Sequence, residues 1–332
     1  MKVQKFRRIF VTSIIFSFLV IWTIVPLCGV PKVVAAEPVR LTMAGSNTTT
    51  WIYMFCAIMV DLWKRNIPNL DITLMASGGT TANYLPMERG ELDLAGGTNY
   101  ADYWAINGMH IAKNKMTNFC SFIPASKAIS HAVVHAESPV KTWKDMDGKK
   151  INLGARASGG VIWHQELFKS LGVQPIYIYS TPGEAADMIK DKRIEGMVYS
   201  VGAPYSVYMD IAKDRPIRFV SLTPEEQKKF VEAQPFLAPF TMPAKTYSFQ
   251  NEDFHTVTAY QTIMVKKGLS EELVYNLTKV TWEHWNEVIK ATAAAKWVTP
   301  QDITNMYAPI HPGAAKYYKE IGIKIPDRLI LK

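Results

Sequence analysis

Three short stretches of this 332-residue sequence have the composition to hold a small anion. They are Gly45-Ser46-Asn47-Thr48, Ser77-Gly78-Gly79-Thr80 and Gly154-Ala155-Arg156-Ala157-Ser158-Gly159-Gly160, and each separates a strand-like apolar run from a helix-like one. The first backbone N–H groups of a helix have no partner within it, and the aligned peptide dipoles add a partial positive charge there. Carboxylate or phosphate oxygens bind such ends, and glycine lets them approach the backbone closely. Ser, Thr and Asn are also ordinary N-caps, so capping alone explains any one of these turns. Their repetition along the chain is what suggests a site. A fourth turn, Val201-Gly202-Ala203-Pro204, follows a strand in the same way, and Asn99, Tyr100 and Trp104 follow another, where they would offer an amide, a hydroxyl and an apolar wall. Arg156 is the one permanent cation inside the turns, and a guanidinium grips a carboxylate through two parallel hydrogen bonds. The expected ligand contacts are Gly45, Ser46, Asn47, Thr48, Ser77, Gly78, Gly79, Thr80, Asn99, Tyr100, Arg156, Ser158, Gly159, Gly160, Gly202 and Ala203.

Catalytic signatures are missing from the sequence. It contains no GxSxG, HExxH, CxxC, GxxxxGK[ST] or GxGxxG motif. His131 and His135 fall on one side of a strand, but two histidines without a third ligand read as structural. No catalytic residue, metal or cofactor is expected, and binding without turnover is the reading.

The elements that must position these turns alternate between strand and helix. Strands are expected at Val39 to Ala44, Asp71 to Ala76 and Leu92 to Ala95, with helices from Trp51 to Asn66 and Thr80 to Glu88 between them. The rhythm restarts with strands at 129–136, 151–154, 176–179 and 196–200 and helices at 161–171 and 182–190. Alternation of this kind predicts mostly parallel sheets flanked by helices. A long strand at 256–265 can carry the chain back to the first unit, and helices follow at 270–289 and 312–320. In open α/β sheets the turns at the carboxyl ends of the strands are where ligands collect.

The chain begins with Lys2, Lys5, Arg7 and Arg8, an uncharged apolar run from Ile9 to about Val30, and then Val34-Ala35-Ala36. This predicts a secretory signal peptide over residues 1–36, cut after Ala36, although a run of that length also suffices for an uncleaved anchor. The leader holds five basic residues, Lys2, Lys5, Arg7, Arg8 and Lys32, and no acidic ones, so the formal charge of +8 falls to +3 without it. A nearly neutral mature chain gives no footprint for nucleic acid. Cys56 and Cys120 then remain, and both are expected as buried thiols.

These turns, with Gly90-Glu91-Leu92-Asp93-Leu94, Trp143-Lys144-Asp145-Met146-Asp147-Gly148-Lys149, Pro243-Ala244-Lys245-Thr246-Tyr247 and His311-Pro312-Gly313-Ala314-Ala315-Lys316-Tyr317-Tyr318, occur in an order and spacing that resembles the TAXI family. Its members are solute receptors of tripartite ATP-independent periplasmic (TRAP) transporters. The resemblance covers nearly all of residues 39–322. It implies an α/β fold of the two-lobed, type II-like periplasmic-binding-protein class, with residues 37–128 plus 245–332 as lobe 1, residues 129–244 as lobe 2, and hinge strands joining them. It further implies a periplasmic receptor that captures a small carboxylate-bearing solute, an amino acid such as glutamate or an organic acid, and delivers it to a TRAP membrane permease. A sensor that presents its solute to a membrane histidine kinase is the alternative with the same fold. Ser46-Asn47-Thr48-Thr49-Thr50 stands where the family's first turn has further glycines, and Arg156 stands where arginine is seldom found, implying a different pocket shape and an extra carboxylate on the ligand.

Overall fold

The computed structural model describes residues 38–331 apart from Thr49 and Ala157. The leader expected at residues 1–36 lies outside the described residues. The chain opens with β1 (Val39–Ala44), followed by α1 (Trp51–Asn66). Thr50 caps α1 by accepting from the Tyr53 N–H, and the stripe Ile52, Phe55, Cys56, Met59, Leu62 and Trp63 is buried at helical spacing. Next come β2 (Leu70–Met75), a 3₁₀ turn over Thr80–Asn83, α2 (Tyr84–Glu88), β3 (Leu94–Thr98) and α3 (Asn99–Asn107). β3 runs through Gly96 and Gly97, whose lack of side chains hides the strand from a hydropathy pattern. The sequence reading ended it at Ala95.

β4 (Phe119–His135) is 17 residues long, whereas only its second half, from residue 129, was expected. Pro124 and the polar Ser126 and Lys127 interrupt the apolar pattern of its first half. It is followed by β5 (Lys150–Asn152), α4 (Gly159–Ser170), β6 (Ile176–Ile178), α5 (Pro182–Lys190) and β7 (Gly196–Val201). Then come α6 (Ser206–Asp214), β8 (Ile217–Phe219), α7 (Pro224–Ala233), β9 (Ala238–Met242) and β10 (Phe254–Lys266). Three helices close the chain, α8 (Glu271–Glu283), α9 (Trp285–Ala291) and α10 (Pro312–Glu320), so the single helix expected over 270–289 is broken at His284.

The strands form one hydrogen-bonded path in the order β2-β1-β3-β10-β4-β7-β5-β6. β1 is parallel to β2 and β3, and β5 is parallel to β6 and β7. Among the described residues these two parallel groups meet within the sheet only through β10 and β4, which pair antiparallel from Phe119 with Lys266 to Ile129 with Thr258. β10 continues onto β3 and β4 onto β7. The expected boundary at residue 129 therefore falls inside a continuous strand.

Each group has its own core. Beside β2-β1-β3, Trp63 of α1 donates to the Leu277 carbonyl and the Thr281 hydroxyl of α8, and Trp282 donates to Tyr318 of α10. Beside β7-β5-β6, Trp143, Phe168 and Phe230 pack together, with ring centroids 5.1 and 5.2 Å from that of Trp143. Cys56 and Cys120 are buried and free, as the sequence led us to expect. Among the described residues no helix is long and apolar enough to cross a membrane.

Gly313, in the first turn of α10, shows how closely the helices meet. A Cβ there would stand 2.1 Å from the Glu271 carbonyl oxygen. Helix propensity alone would make Gly313→Ala stabilising by about 1 kcal/mol. The clash reverses the sign, and denaturant unfolding is expected to show a net loss; a stabilised variant would mean that α8 and α10 separate readily.

Candidate functional site

Every turn singled out in the sequence lies at the carboxyl end of a parallel strand, and hydrogen bonds tie neighbouring turns together. Gly45 N–H donates to the Met75 carbonyl and Ser77 N–H to the Ser46 carbonyl, which fixes the turns after β1 and β2 side by side. The buried amide of Asn83 donates to the carbonyls of Gly45 and Gly96, locking the turn after β1 to β3. Ser46 is buried, while Asn47 and Thr48 are exposed. Ser77 and Gly79 close a tight local turn that presents Thr80 as the first residue of the 3₁₀ turn, with Gly78 exposed beside it.

Tyr100, in the first turn of α3, connects this set to the other strand group. Its ring and hydroxyl lie 2.6 to 2.8 Å from where a Cβ on Gly159 would stand, so only glycine fits at the start of α4. The same hydroxyl faces the side chains of Thr80 and Thr98, and burial pushes its pKa up. Ser200, near the end of β7, lies with its Oγ 2.7 Å from a Cβ position on Gly160. Trp163 Nε1 is 4.0 Å from that position, fully buried, and has no hydrogen-bond partner. Ser158 is the N-cap of α4, yet its hydroxyl makes no cap bond. The amino end of α4 is thus surrounded by donors from both strand groups: Ser158, Ser200, Trp163 and Tyr100.

Ser200 also lines a cavity of about 410 Å³ that runs along the two long strands. Its floor is Ser126, Lys127 and Ala128 of β4 with Gln261 of β10, one wall is Val201 to Tyr205, and the other is Trp51 with Ala293 and Ala294. Gly202 and Ala203 are therefore cavity-lining, as the sequence suggested. Trp297 Nε1 holds the Ala203 carbonyl at 2.7 Å.

Three expected contacts are placed otherwise. Asn99 is buried and bonded within the fold: Nδ2 donates to the Phe236 carbonyl at 2.6 Å and Oδ1 accepts from Tyr260 N–H at 2.9 Å, so it anchors α3 to β10. Arg156 lies over the Tyr179 ring at 4.0 Å, in a separate depression with Tyr177, Ser180, Thr181 and Glu184, so the extra carboxylate read from it loses its basis here. Trp104 is buried between Tyr100 and His110, a core position. Ser200, Ser126, Lys127, Gln261 and Trp163 were not singled out in the sequence.

A family model described as the NMT1-like family matches residues 43–322. The chain belongs to the NMT1-like family. Solved structures are similar to this NMT1-like chain at low identity. MatC from Rhodopseudomonas palustris, solved with bound malate, is 14% identical with a TM-score of 0.50, over 85% of this chain and 96% of that one. The periplasmic aliphatic sulphonate binding protein SsuA from Escherichia coli is 12% identical with a TM-score of 0.48, over 86% and 91%. A probable amino-acid ABC transporter extracellular-binding protein, ytmK from Bacillus subtilis, is 13% identical with a TM-score of 0.47, over 79% and 98%. The mixed α/β architecture expected from the sequence is the one described above, and MatC shares it.

The cavity wall of this NMT1-like chain is supported from inside by His131. Tyr205 N–H donates to Tyr247 Oη, that hydroxyl bonds His131 Nε2 at 3.1 Å, and His131 Nδ1 bonds the Ile129 carbonyl at 2.8 Å. With Nδ1 protonated, Nε2 is the acceptor. The ring is packed among Tyr208, Phe219, Tyr247 and Phe254 with no counter-charge, and burial lowers its pKa to about 4. An unfolded histidine titrates near 6.5, so the unfolded chain takes up the extra proton in between. The stabilisation from neutral His131 is complete above about pH 6.5 and is lost as pH falls toward about 4. Urea unfolding of wild type and His131→Gln should show a stability gap that narrows from pH 6.5 to pH 4; a gap independent of pH would contradict the assignment.

Proposed function

We propose that the protein is an extracytoplasmic solute receptor that captures a small carboxylate-bearing solute and delivers it to a TRAP-type membrane permease. The observation that carries this reading is the amino end of α4, where Ser158, Ser200 and the unpartnered Trp163 N–H gather around Gly160. No acidic side chain is among these groups. A helix amino end ringed by neutral donors suits one anionic group, such as a carboxylate.

In this reading, residues 37–128 with 245–332 form one lobe and residues 129–244 the other, with the hinge in β4 and β10. Solute in the cavity of about 410 Å³ touches both strand groups and shifts the population toward a closed form. Its volume lies within the range of small-molecule sites. The solute leaves unchanged, and export by the expected signal peptide puts the protein in the periplasm. The TAXI-like order of motifs supports a TRAP permease as the partner.

Trp163→Phe tests the site directly, because it removes one donor and keeps an aromatic side chain. The indole N–H has no partner in the unliganded protein, so its loss should leave the unliganded melting temperature within a degree or two or raise it. Binding of the natural acid, followed by thermal shift on refolded protein, should weaken by roughly tenfold, as for loss of a hydrogen bond to a charged group. Unaltered affinity would remove the end of α4 from the site.

A further inference from the structure

The cavity's electrical balance narrows the solute class. Among the described residues lining it, Lys127 is the one charged side chain. Its ammonium is compensated, because Nζ donates to Asp302 Oδ1 at 2.7 Å and the two side chains are only 12% and 8% exposed. Asp302 is fully engaged as well: Oδ1 also accepts from the Tyr260 hydroxyl at 2.7 Å, and Oδ2 accepts from Thr299 N–H at 2.8 Å and its hydroxyl at 3.2 Å. The pair presents no net charge to the cavity, although Lys127 keeps further N–H donors beside those of Gln261. The rest of the lining is largely apolar, with Trp51, Ala128, Val201 and Pro204 prominent.

Resting on the receptor reading above, we propose that the solute is a monocarboxylate with an apolar body and an uncharged far end. The Lys127–Asp302 pair discriminates against a second charge of either sign. A second carboxylate beside Lys127 would compete with Asp302 across a poorly solvated wall, leaving one anion without a full partner. An ammonium, as in an amino acid, would find no carboxylate free to receive it. A neutral hydroxyl or carbonyl at that end can accept from Lys127 or Gln261 without disturbing the pair.

Isothermal titration calorimetry on protein refolded to strip carried-over solute decides this with matched probes: hexanoate, adipate and 6-aminohexanoate, and phenylacetate against 1,4-phenylenediacetate. The monocarboxylates are expected to bind at least tenfold tighter than their doubly charged counterparts. Asp302→Asn, which uncovers the Lys127 charge, should shrink the gap for the dicarboxylates about tenfold. A dicarboxylate or amino acid that binds wild type as tightly as its monocarboxylate overturns the proposal and leaves the receptor reading standing. Failure of every acid of both skeletons overturns both. The wild-type comparison decides even if Asp302→Asn does not fold.

Discussion

The antiparallel pairing of β4 with β10 is the constraint on which the rest depends. Among the described residues these two strands supply the only sheet connection between the β2-β1-β3 and β7-β5-β6 groups. Their ladder is irregular, with register shifts between Gln261 and Thr262 and between Ile263 and Met264, beside Pro124, which has no N–H to contribute. The same two strands form the cavity floor, through Ser126, Lys127, Ala128 and Gln261.

Around that floor the chemistry is divided. At the α4 end, neutral donors and a helix dipole offer a place for one negative charge. At the floor, a cation and an anion cancel each other against Tyr260 and Phe240, with Lys127 Nζ 5.3 and 5.5 Å from their ring centroids. The Tyr205–Tyr247–His131 relay fixes the far wall to the same strand, β4. Ser200 is common to the α4 end and the cavity lining, and Lys127 and Tyr205 belong to that lining as well.

Much of this was legible in the sequence, because period and turn chemistry are local. The strand–turn–helix rhythm gave most elements to within a few residues, and the turn at Gly202 lines the cavity. What was not legible depends on orientation. Arg156 sits in the right kind of turn but points to Tyr179, and Asn99 follows the right strand but spends its amide on Phe236 and Tyr260. Trp163 carried no signal because sequence does not show whether an indole N–H finds a partner. Ser126 and Lys127 did not stand out either, because β4 also carries Ser121, Ser130, His131 and His135.

The central claim is that a solute's acid group sits at the amino end of α4 with its body along β4 and β10. A crystal structure of the protein with its co-purified solute tests it most directly. The account predicts a carboxylate oxygen within hydrogen-bonding distance of Ser200 Oγ, Trp163 Nε1 or the first amides of α4, with the rest of the molecule against Gln261 and Trp51. A solute bound instead beside Arg156 and Tyr179 would contradict it.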